Sequence, residues 1–229
     1  MVFPNSRNVF VAGASRGVGF EVVKGLRQQG CRVVALLRTD DARPQLEALG
    51  AEVHVGDALD PEVMQTAVRC FDAEPFAVVT TLGGKGFNRD EPRCDYLGNR
   101  HLVDAVKGLP CERFVLVSSI GVRGSAVALP EQVLETLRPA LLAKAKAEEH
   151  LIASGLPFTI VRPGGLLSET ATGQGILVMD ERVAGSITRM DVADLVVRCL
   201  RSSQAVNQVL AAVDRDRLRS ETPITPFEL

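Results

Sequence analysis

A glycine-rich turn directly after a short apolar run constrains the fold of this chain more than any other feature of its sequence. The run Asn8–Ala12 is apolar after its first residue, and the turn Gly13–Gly19 follows it at once. From residue 17 to residue 29 apolar side chains recur at helical spacing, and a second apolar run spans residues 32–37. Because short apolar runs next to glycine are typical of buried strands, these segments predict a strand–helix–strand unit with a right-handed crossover.

The same alternation of apolar runs and helical patterns continues along the chain. Asp60 and Pro61 are typical of a helix start, since aspartate accepts hydrogen bonds from the first helical amides and proline suits the first turn. Six strand-like runs alternating with helices predict an α/β fold with a doubly wound parallel sheet, which is Rossmann-like. The runs after the first two are predicted at residues 52–55, 76–81, 113–117 and 158–161.

Length and proline positions set the expected domain organisation. A chain of 229 residues predicts a single domain over residues 1–214, in which residues 163–205 form a small region covering the substrate side of the sheet. The charged, proline-containing segment 215–229 is predicted to be a mobile tail. Pro139 lies inside a helical pattern that ends at Ser154, so we expect a break or kink there, with the functional helix starting at Pro139.

The glycine turn also carries the first functional prediction. A side chain at its glycines would block the approach of a pyrophosphate, while free backbone N–H groups at a helix start attract the phosphate charge. The turn could instead be purely structural, but its place between a strand and a helix favours a dinucleotide site. The predicted cofactor-binding residues of the turn are Gly13, Ser15, Arg16, Gly17, Val18 and Gly19.

The residues after the second strand bear on which dinucleotide binds. An NAD-selective site usually has an acidic residue about 20 positions after the turn, and this chain has Arg38 there. Arg38 and Arg16 could both contact a 2′-phosphate, which favours NADP(H) over NAD(H). Two alternatives remain open: both arginines are ordinary exposed charges, or Asp40 and Asp41 bind a ribose hydroxyl instead.

Charge and cysteine usage exclude several other classes of function. The chain has 26 basic and 28 acidic residues, a formal net charge of −2 and five cysteines without close spacing. These numbers favour a cytoplasmic protein with reduced thiols and a small-molecule partner, without nucleic-acid or membrane binding, as a monomer or homodimer. His54, His101 and His150 are too scattered for a metal site and are interpreted as structural or surface residues.

Several further motifs follow the predicted strands and helices. On these motifs the chain, from Val9 to about Val213, resembles the short-chain dehydrogenase/reductase superfamily. The similarity is to its atypical NAD(P)H-binding branch, which includes the biliverdin reductase B/flavin reductase-like and NmrA-like proteins. The motifs are Gly56-Asp57, Thr80-Thr-Leu-Gly-Gly84, Val117-Ser-Ser119, Lys144-Ala-Lys-Ala-Glu148, Ser154-Gly-Leu-Pro-Phe-Thr-Ile-Val-Arg-Pro-Gly164 and Arg189-Met-Asp-Val-Ala193.

The resemblance implies positions for more of the cofactor-binding residues. It implies that Asp57 and Ala58 lie near the adenine, and that Leu82, Gly83 and Gly84 border the ribose. By the same resemblance Ser118 and Ser119 lie beside the nicotinamide. Pro163 and Gly164 either form the loop on the nicotinamide side or make a simple turn after a strand.

The catalytic candidates implied by the resemblance are Ser119 and Lys144. Ser119 would contact the substrate, or else its hydroxyl caps local backbone. Lys144 would bind the ribose, or is a surface lysine, with Lys146 as the alternative one register away. The family's tyrosine stands four residues before this lysine, and the chain has Ala140 there. The only tyrosine, Tyr96, is interpreted as a packing residue at the start of an earlier helix.

A few other polar residues lie where the ends of parallel strands would bring them near a ligand. Asp191 is predicted to cap the helix that follows it rather than to perform chemistry. Arg89, Arg93 and Arg123 lie in predicted loops at the carboxyl ends of strands, where an acidic substrate group could meet one of them. Solvated loop charges are the alternative for all three.

Together these observations predict an NADPH-dependent oxidoreductase without the superfamily's usual proton donor. A missing acid would slow the reduction of an ordinary ketone, whereas a planar conjugated acceptor such as a flavin, quinone or bilin delocalises the incoming charge. The alternative is a regulatory or scaffold protein of the NmrA-like type that binds NAD(P) without turnover. A sugar-nucleotide epimerase or dehydratase is disfavoured because it needs the missing tyrosine.

Overall fold

The computed structural model describes residues 7–71, 73–84, 94–219 and 223–229, and within them strands and helices alternate as the sequence predicts. The strands are β1 (Asn8–Ala12), β2 (Arg32–Leu37), β3 (Glu52–Val55), β4 (Phe76–Thr80), β5 (Cys111–Val117), β6 (Phe158–Pro163), β7 (Gly165–Leu167), β8 (Gly175–Val178), β9 (Ser186–Thr188) and β10 (Gln208–Asp214). The α-helices are α1 (Gly17–Gln28), α2 (Arg43–Ala48), α3 (Pro61–Val68), α4 (Leu97–Val106), α5 (Glu131–Ala153) and α6 (Arg189–Arg201).

Eight of these strands form one sheet in the order β3-β2-β1-β4-β5-β6-β10-β8. All neighbours in it pair in parallel except β8, which runs antiparallel to β10. The chain builds outward from β1 in one direction and then returns to place β4 on its other side. The fold is therefore a doubly wound, Rossmann-like α/β fold, with a crevice at the carboxyl ends of β1 and β4 where the strand order reverses.

Two hydrophobic cores cover the two faces of the sheet. On one face α1 and α6 pack against the sheet through side chains such as Val22 and Val196, both fully buried. On the other face α3, α4 and α5 enclose a core that includes Phe10, Phe114 and Leu151. Because both faces are covered, the central strands are apolar at nearly every position, as parallel sheets require.

Local sequence signals set the start of α3 and α6. Asp60 accepts a hydrogen bond from the Glu62 amide at 2.9 Å, so the predicted cap of α3 is confirmed. The prediction for α6 was wrong, because Thr188 is its N-cap and accepts from the Asp191 amide at 3.1 Å. The Asp191 carboxylate instead accepts hydrogen bonds from the amides of Thr172 and Gly173 in the loop between β7 and β8.

Helix α5 corrects the expectation at Pro139. The helix runs without a break from Glu131 to Ala153 with Pro139 inside it, so it does not begin at Pro139. A proline removes one hydrogen bond, here to the carbonyl of Glu135. Since Glu135 lies on an exposed part of the helix, water can satisfy this carbonyl.

The C-terminal part of the chain packs beside the main sheet. Strands β7 and β9 form a small parallel pair next to the crevice. Residues 215–229 were expected to be a mobile tail, but their described part packs against the domain. Phe227 donates its amide to the Leu177 carbonyl at 2.7 Å, and Phe227 and Leu229 pack against the first core. Two apolar anchors near the end of the chain therefore hold the segment in place.

None of the helices in the described part of the chain combines the length and the apolar character needed to cross a bilayer.

Candidate functional site

A large cleft of about 1260 Å³ opens at the crevice between the carboxyl ends of β1 and β4. Its volume exceeds the roughly 300–1,000 Å³ of most small-molecule pockets, which suits an extended ligand. Residues from the glycine turn, from the ends of β2, β3, β4 and β5, from α5, from the β7 region and from the start of α6 line it. The lining comprises Gly13, Ser15, Arg16, Gly17, Val18, Leu36, Leu37, Arg38, Thr39, Asp41, Ala42, Gln45, Gly56, Asp57, Ala58, Leu59, Thr81, Leu82, Gly83, Gly84, Cys94, Val117, Ser118, Ser119, Lys144, Leu166, Ser168 and Arg189.

The glycine turn is shaped by backbone conformation and by very close packing. Gly13 and Gly17 have φ values of 84° and 60°, which side chains other than glycine rarely adopt. A Cβ at Gly19 would lie 2.3 Å from the Gly13 carbonyl oxygen and 2.6 Å from Thr81 Oγ1. Thr81 in turn donates its hydroxyl to the Gly13 carbonyl at 3.0 Å. Gly19 therefore closes the turn onto α1, while Gly13 and Gly17 line the cleft.

The first turn of α1 presents uncapped backbone amides to this cleft. Arg16 occupies the N-cap position but makes no side-chain cap hydrogen bond, and the first turn contains no acidic residue. The positive end of the helix dipole is therefore not neutralised locally. Such an end is suited to an anionic group such as a pyrophosphate.

The end of β2 brings one cation and one carboxylate to the cleft. Arg38 is exposed and lines the cleft, and no ion pair to it is found among the described residues. Asp40 does not line the cleft, and its carboxylate is paired with Arg43. Asp41 lines it and accepts a hydrogen bond from the Thr39 hydroxyl at 2.8 Å.

Two serines at the end of β5 differ in their hydrogen bonding. Ser119 Oγ donates to the Ile120 carbonyl at 2.8 Å, so its proton is used by local backbone. Ser118 is only 6% exposed, and its Oγ has no hydrogen-bond partner among the described residues. A buried hydroxyl without a partner is costly. Ser118 lines the cleft, so its hydroxyl is the one of the two that local backbone does not already use.

Lys144 reaches the cleft from α5 and is held by a buried carboxylate. Its Nζ lies 3.6 Å from Asp95 Oδ1, with the two side chains 18% and 3% exposed. The other carboxylate oxygen of Asp95 accepts the Gly84 amide at 2.8 Å. Asp95 thus connects the loop after β4 to α5, a role that sequence reasoning missed. The sequence signal for this role was the position of Asp95, an acidic residue just before the helix predicted to start near Tyr96.

Lys146 points away from the cleft. Its Nζ lies 5.8 Å from the centre of the Tyr96 ring, in a second cavity of about 400 Å³ between α4 and α5. Tyr96 is half-buried and packs against the second core. The structure therefore places Lys144, and neither Lys146 nor Tyr96, among the residues of the main cleft.

A buried ion pair fixes α5 against β6 below the cleft. Arg162 donates from Nε and Nη2 to the two oxygens of Glu148 at 3.1 and 2.7 Å, and from Nη1 to Glu181 at 3.1 Å. Burial disfavours the Arg162 cation, but its hydrogen bonds to Glu148 and Glu181 outweigh that effect and raise its pKa. Glu148 lies one helical turn after Lys144, on the same side of α5. The Glu148–Arg162 ion pair therefore fixes the rotation of α5 at which Lys144 faces the cleft.

Cys94 lines the cleft as a neutral thiol. Burial, together with the charges of Asp95 and Asp57, raises the pKa of Cys94 to about 11. Since the thiolate is the reactive form, Cys94 is not poised as a nucleophile at neutral pH.

The structure brings most of the predicted site residues together. Three of them lie outside the cleft lining, namely Gly19, Pro163 and Gly164. Pro163 ends β6 and is buried, and a Cβ at Gly164 would lie 2.3 Å from the Gly185 carbonyl, which favours the structural alternative for both. The cleft residues that sequence reasoning missed include Leu36, Thr81, Leu166, Ser168 and Arg189.

The three arginines predicted in loops near the site lie in different places. Arg89 and Arg93 lie outside the described residues. Arg123 forms an ion pair with Glu149 of α5 and does not line the cleft. No arginine of this predicted group is therefore placed at the site by the described structure.

The residues present fit a dinucleotide cofactor. Gly13 and Gly17 line the cleft without side chains, and the first amides of α1 have no side-chain cap. At the other end of the cleft, the Ser118 hydroxyl is buried and has no partner among the described residues. These features accept an anion at one end and a polar group at the other, as a bound NAD(P)H requires.

Comparison with known proteins agrees with this geometry. An NAD(P)H-binding family model matches residues 13–203. An uncharacterised chloroplastic protein of Arabidopsis thaliana is 33% identical over 92% of this chain and 78% of its own length. Sanguinarine reductase of Eschscholzia californica is 27% identical over 87% of this chain and 86% of its own. Two longer chloroplastic relatives are spanned for only 48% and 37% of their lengths.

A solved structure extends the similarity to the whole fold. ChuY, an anaerobilin reductase of Escherichia coli O157:H7, is 30% identical, with 91% of this chain and 98% of that chain covered and a TM-score of 0.82. The extent of the family-model match means that this chain belongs to the NAD(P)H-binding family, and the proteins to which it is similar include reductases.

Proposed function

We propose that this protein uses NADPH to reduce a planar conjugated acceptor of the flavin, quinone or bilin class. The observation that carries the proposal is that one cleft joins the glycine turn to Ser118, Ser119 and Lys144, while residue 140, one helical turn before Lys144, is alanine. The reductases among the similar proteins support the reaction type, and ChuY is described as acting on an anaerobilin.

The roles of the reaction-side residues follow from their contacts. Lys144, held by Asp95, provides a fixed positive charge in the cleft that can hold a ribose hydroxyl. Ser118 has a free hydroxyl to orient a carboxamide or an acceptor oxygen. Ser119 can accept a hydrogen bond, but donating one requires it to leave the Ile120 carbonyl. Pro163 and Gly164 would support this end of the site only indirectly.

The acceptor class is proposed from what these residues lack. When bound, reduced NAD(P)H supplies a hydride. Ala140 carries no acidic group, and the Ser119 proton is used by backbone. A positioned acid typically contributes about 10² to 10⁴-fold to rate. An acceptor that spreads negative charge over its own rings depends less on such a group, so positioning supplies most of the rate enhancement.

The preference for NADPH is proposed from the end of β2. Arg38 and Arg16 line the cleft, whereas Asp40 is engaged by Arg43 outside it. Asp57 and Ala58 would border the adenine, with Leu82, Gly83 and Gly84 beside a ribose. Asp41 is the carboxylate after β2 that lines the cleft, and it is the group through which NADH would compete.

Steady-state oxidation of NADPH and NADH, followed by absorbance, tests the proposal with FMN, a quinone, biliverdin and a simple ketone as acceptors. We expect turnover on at least one conjugated acceptor, little on the ketone, and a lower KM for NADPH than for NADH. Tight NADPH binding with no turnover on any acceptor would contradict the proposed enzymatic activity and favour an NmrA-like regulatory protein. Reduction of the ketone faster than of the conjugated acceptors would contradict the proposed acceptor class.

A further inference from the structure

Arg189, the first residue of α6, lies beside the glycine turn although it is far from it in sequence. A Cβ on Gly17 would lie 3.6 Å from Cδ and Nε of Arg189, and a Cβ on Gly25 would lie 3.7 Å from Val197 of the same helix. The same number of residues separates the two positions on α1 and the two on α6. The helices therefore run parallel with their N-termini level, and α6 brings a cation to the uncapped end of α1.

The hydrogen bonds of Arg189 leave much of its guanidinium available. Nη1 donates to Ser168 Oγ at 2.8 Å and to the Leu166 carbonyl at 3.3 Å, and both partners line the cleft. No carboxylate is paired with Arg189 within the described ranges, whereas nearby Arg217 is paired with Glu169. Arginine carries five N–H donors in a planar fork that matches phosphate oxygens. Arg189 can thus keep its hydrogen bond to Ser168 and bind an anion as well.

We propose that Arg189 is a second phosphate-binding residue, which holds the cofactor's pyrophosphate together with the α1 amides. The inference rests on the proposed binding of NADPH in this cleft. It adds the first residue of α6 to the cofactor-binding residues. Through Ser168 and Leu166 the same guanidinium connects the β7 segment to the nucleotide.

Binding titrations with three ligands separate this role from that of Arg38. NADPH contains both the pyrophosphate and the 2′-phosphate, NADH contains only the pyrophosphate, and adenosine 2′-monophosphate contains only the 2′-phosphate. We expect Arg189→Ala to weaken NADPH and NADH alike by about 10- to 100-fold, the loss of one charge-assisted contact. It should leave adenosine 2′-monophosphate unchanged. Arg38→Ala should instead weaken NADPH and adenosine 2′-monophosphate and spare NADH.

Two further variants serve as controls. Arg198→Ala removes another arginine of α6, one that is 53% exposed and paired with Asp194, and should leave all three affinities unchanged. Arg189→Lys keeps the positive charge without the planar set of N–H donors, so we expect an intermediate loss of dinucleotide affinity. If thermal unfolding shows that Arg189→Ala does not fold, Arg189→Lys is used for the test instead.

Each adverse result has a distinct meaning. Wild-type affinity for NADPH in a folded Arg189→Ala variant would overturn the inference and leave the proposed function standing. An equal loss of adenosine 2′-monophosphate binding would also overturn it, because the substitution would then act on the whole cleft. A wild-type protein that binds neither dinucleotide would overturn the proposed function, and the inference with it.

Discussion

The two ends of the cleft are built in different ways. The nucleotide end, which we define as the turn Gly13–Gly19 with Arg38, consists mostly of backbone, and its shape follows from glycines close together in the sequence. The reaction end, defined as Ser118, Ser119 and Lys144, consists of side chains on separate elements. Its geometry depends on buried contacts such as those of Asp95 with Lys144 and of Arg162 with Glu148.

This difference teaches where each end is vulnerable. The nucleotide end depends on its glycines, since it has no room for a new Cβ at Gly19. The reaction end is sensitive to the loss of polar groups that never touch a ligand, because those groups set the position of α5. Substitutions at the two ends should therefore separate binding from stability.

The largest effect is expected at the buried ion pair. Glu148→Gln removes the fully buried charge opposite Arg162 and leaves only the half-exposed Glu181 to balance it. Breaking a buried pair costs about 3–5 kcal/mol, so the free energy of unfolding should fall by that amount in urea denaturation. Glu149→Gln is the matched control, since Glu149 pairs with Arg123 at the surface. It should cost less than about 1 kcal/mol. Equal effects would contradict the role given to the buried pair.

The next largest effect is expected in the glycine turn. Gly19→Ala places a Cβ 2.3 Å from a backbone oxygen, and overpacking of this kind costs about 1–3 kcal/mol. Because the start of α1 must shift, NADPH affinity should fall by up to about 100-fold. Gly25→Ala in the same helix meets Val197 at an ordinary 3.7 Å and should raise stability by about 0.5–1 kcal/mol. Thermal unfolding and NADPH titration measure both. Unchanged NADPH affinity in Gly19→Ala would show that the turn does not shape the site.

The smallest effect is expected from the lysines of α5. Lys144→Met should weaken NADPH binding by about 10-fold, the loss of one charge-assisted hydrogen bond. Lys146→Met should leave the affinity unchanged, because Lys146 lies over Tyr96 outside the main cleft. Fluorescence titration of both variants gives the comparison. The reverse result would mean that Lys146 is the ribose-binding lysine.

Much of the fold could be predicted from local patterns. The bounds of β1, β2 and β3 agree with the apolar runs, and Asp60 caps α3 as its sequence context indicates. The expected break at Pro139 was wrong for a local reason, since the Glu135 carbonyl that the proline leaves free is near solvent. The expected mobile tail was wrong because distant parts of the chain meet there, where Phe227 and Leu229 pack against the first core.

Local sequence patterns are sufficient to predict the strand–helix–strand unit, the glycine turn and the doubly wound class. These depend on backbone conformation and on the spacing of apolar residues over short stretches. Three other contacts are visible only in the folded protein: Asp95 holds Lys144, Glu148 pairs with Arg162 and Arg189 lies beside Gly17. Such contacts join elements far apart in the chain, so they are fixed by the order of the strands and the packing of the helices. No local pattern records them.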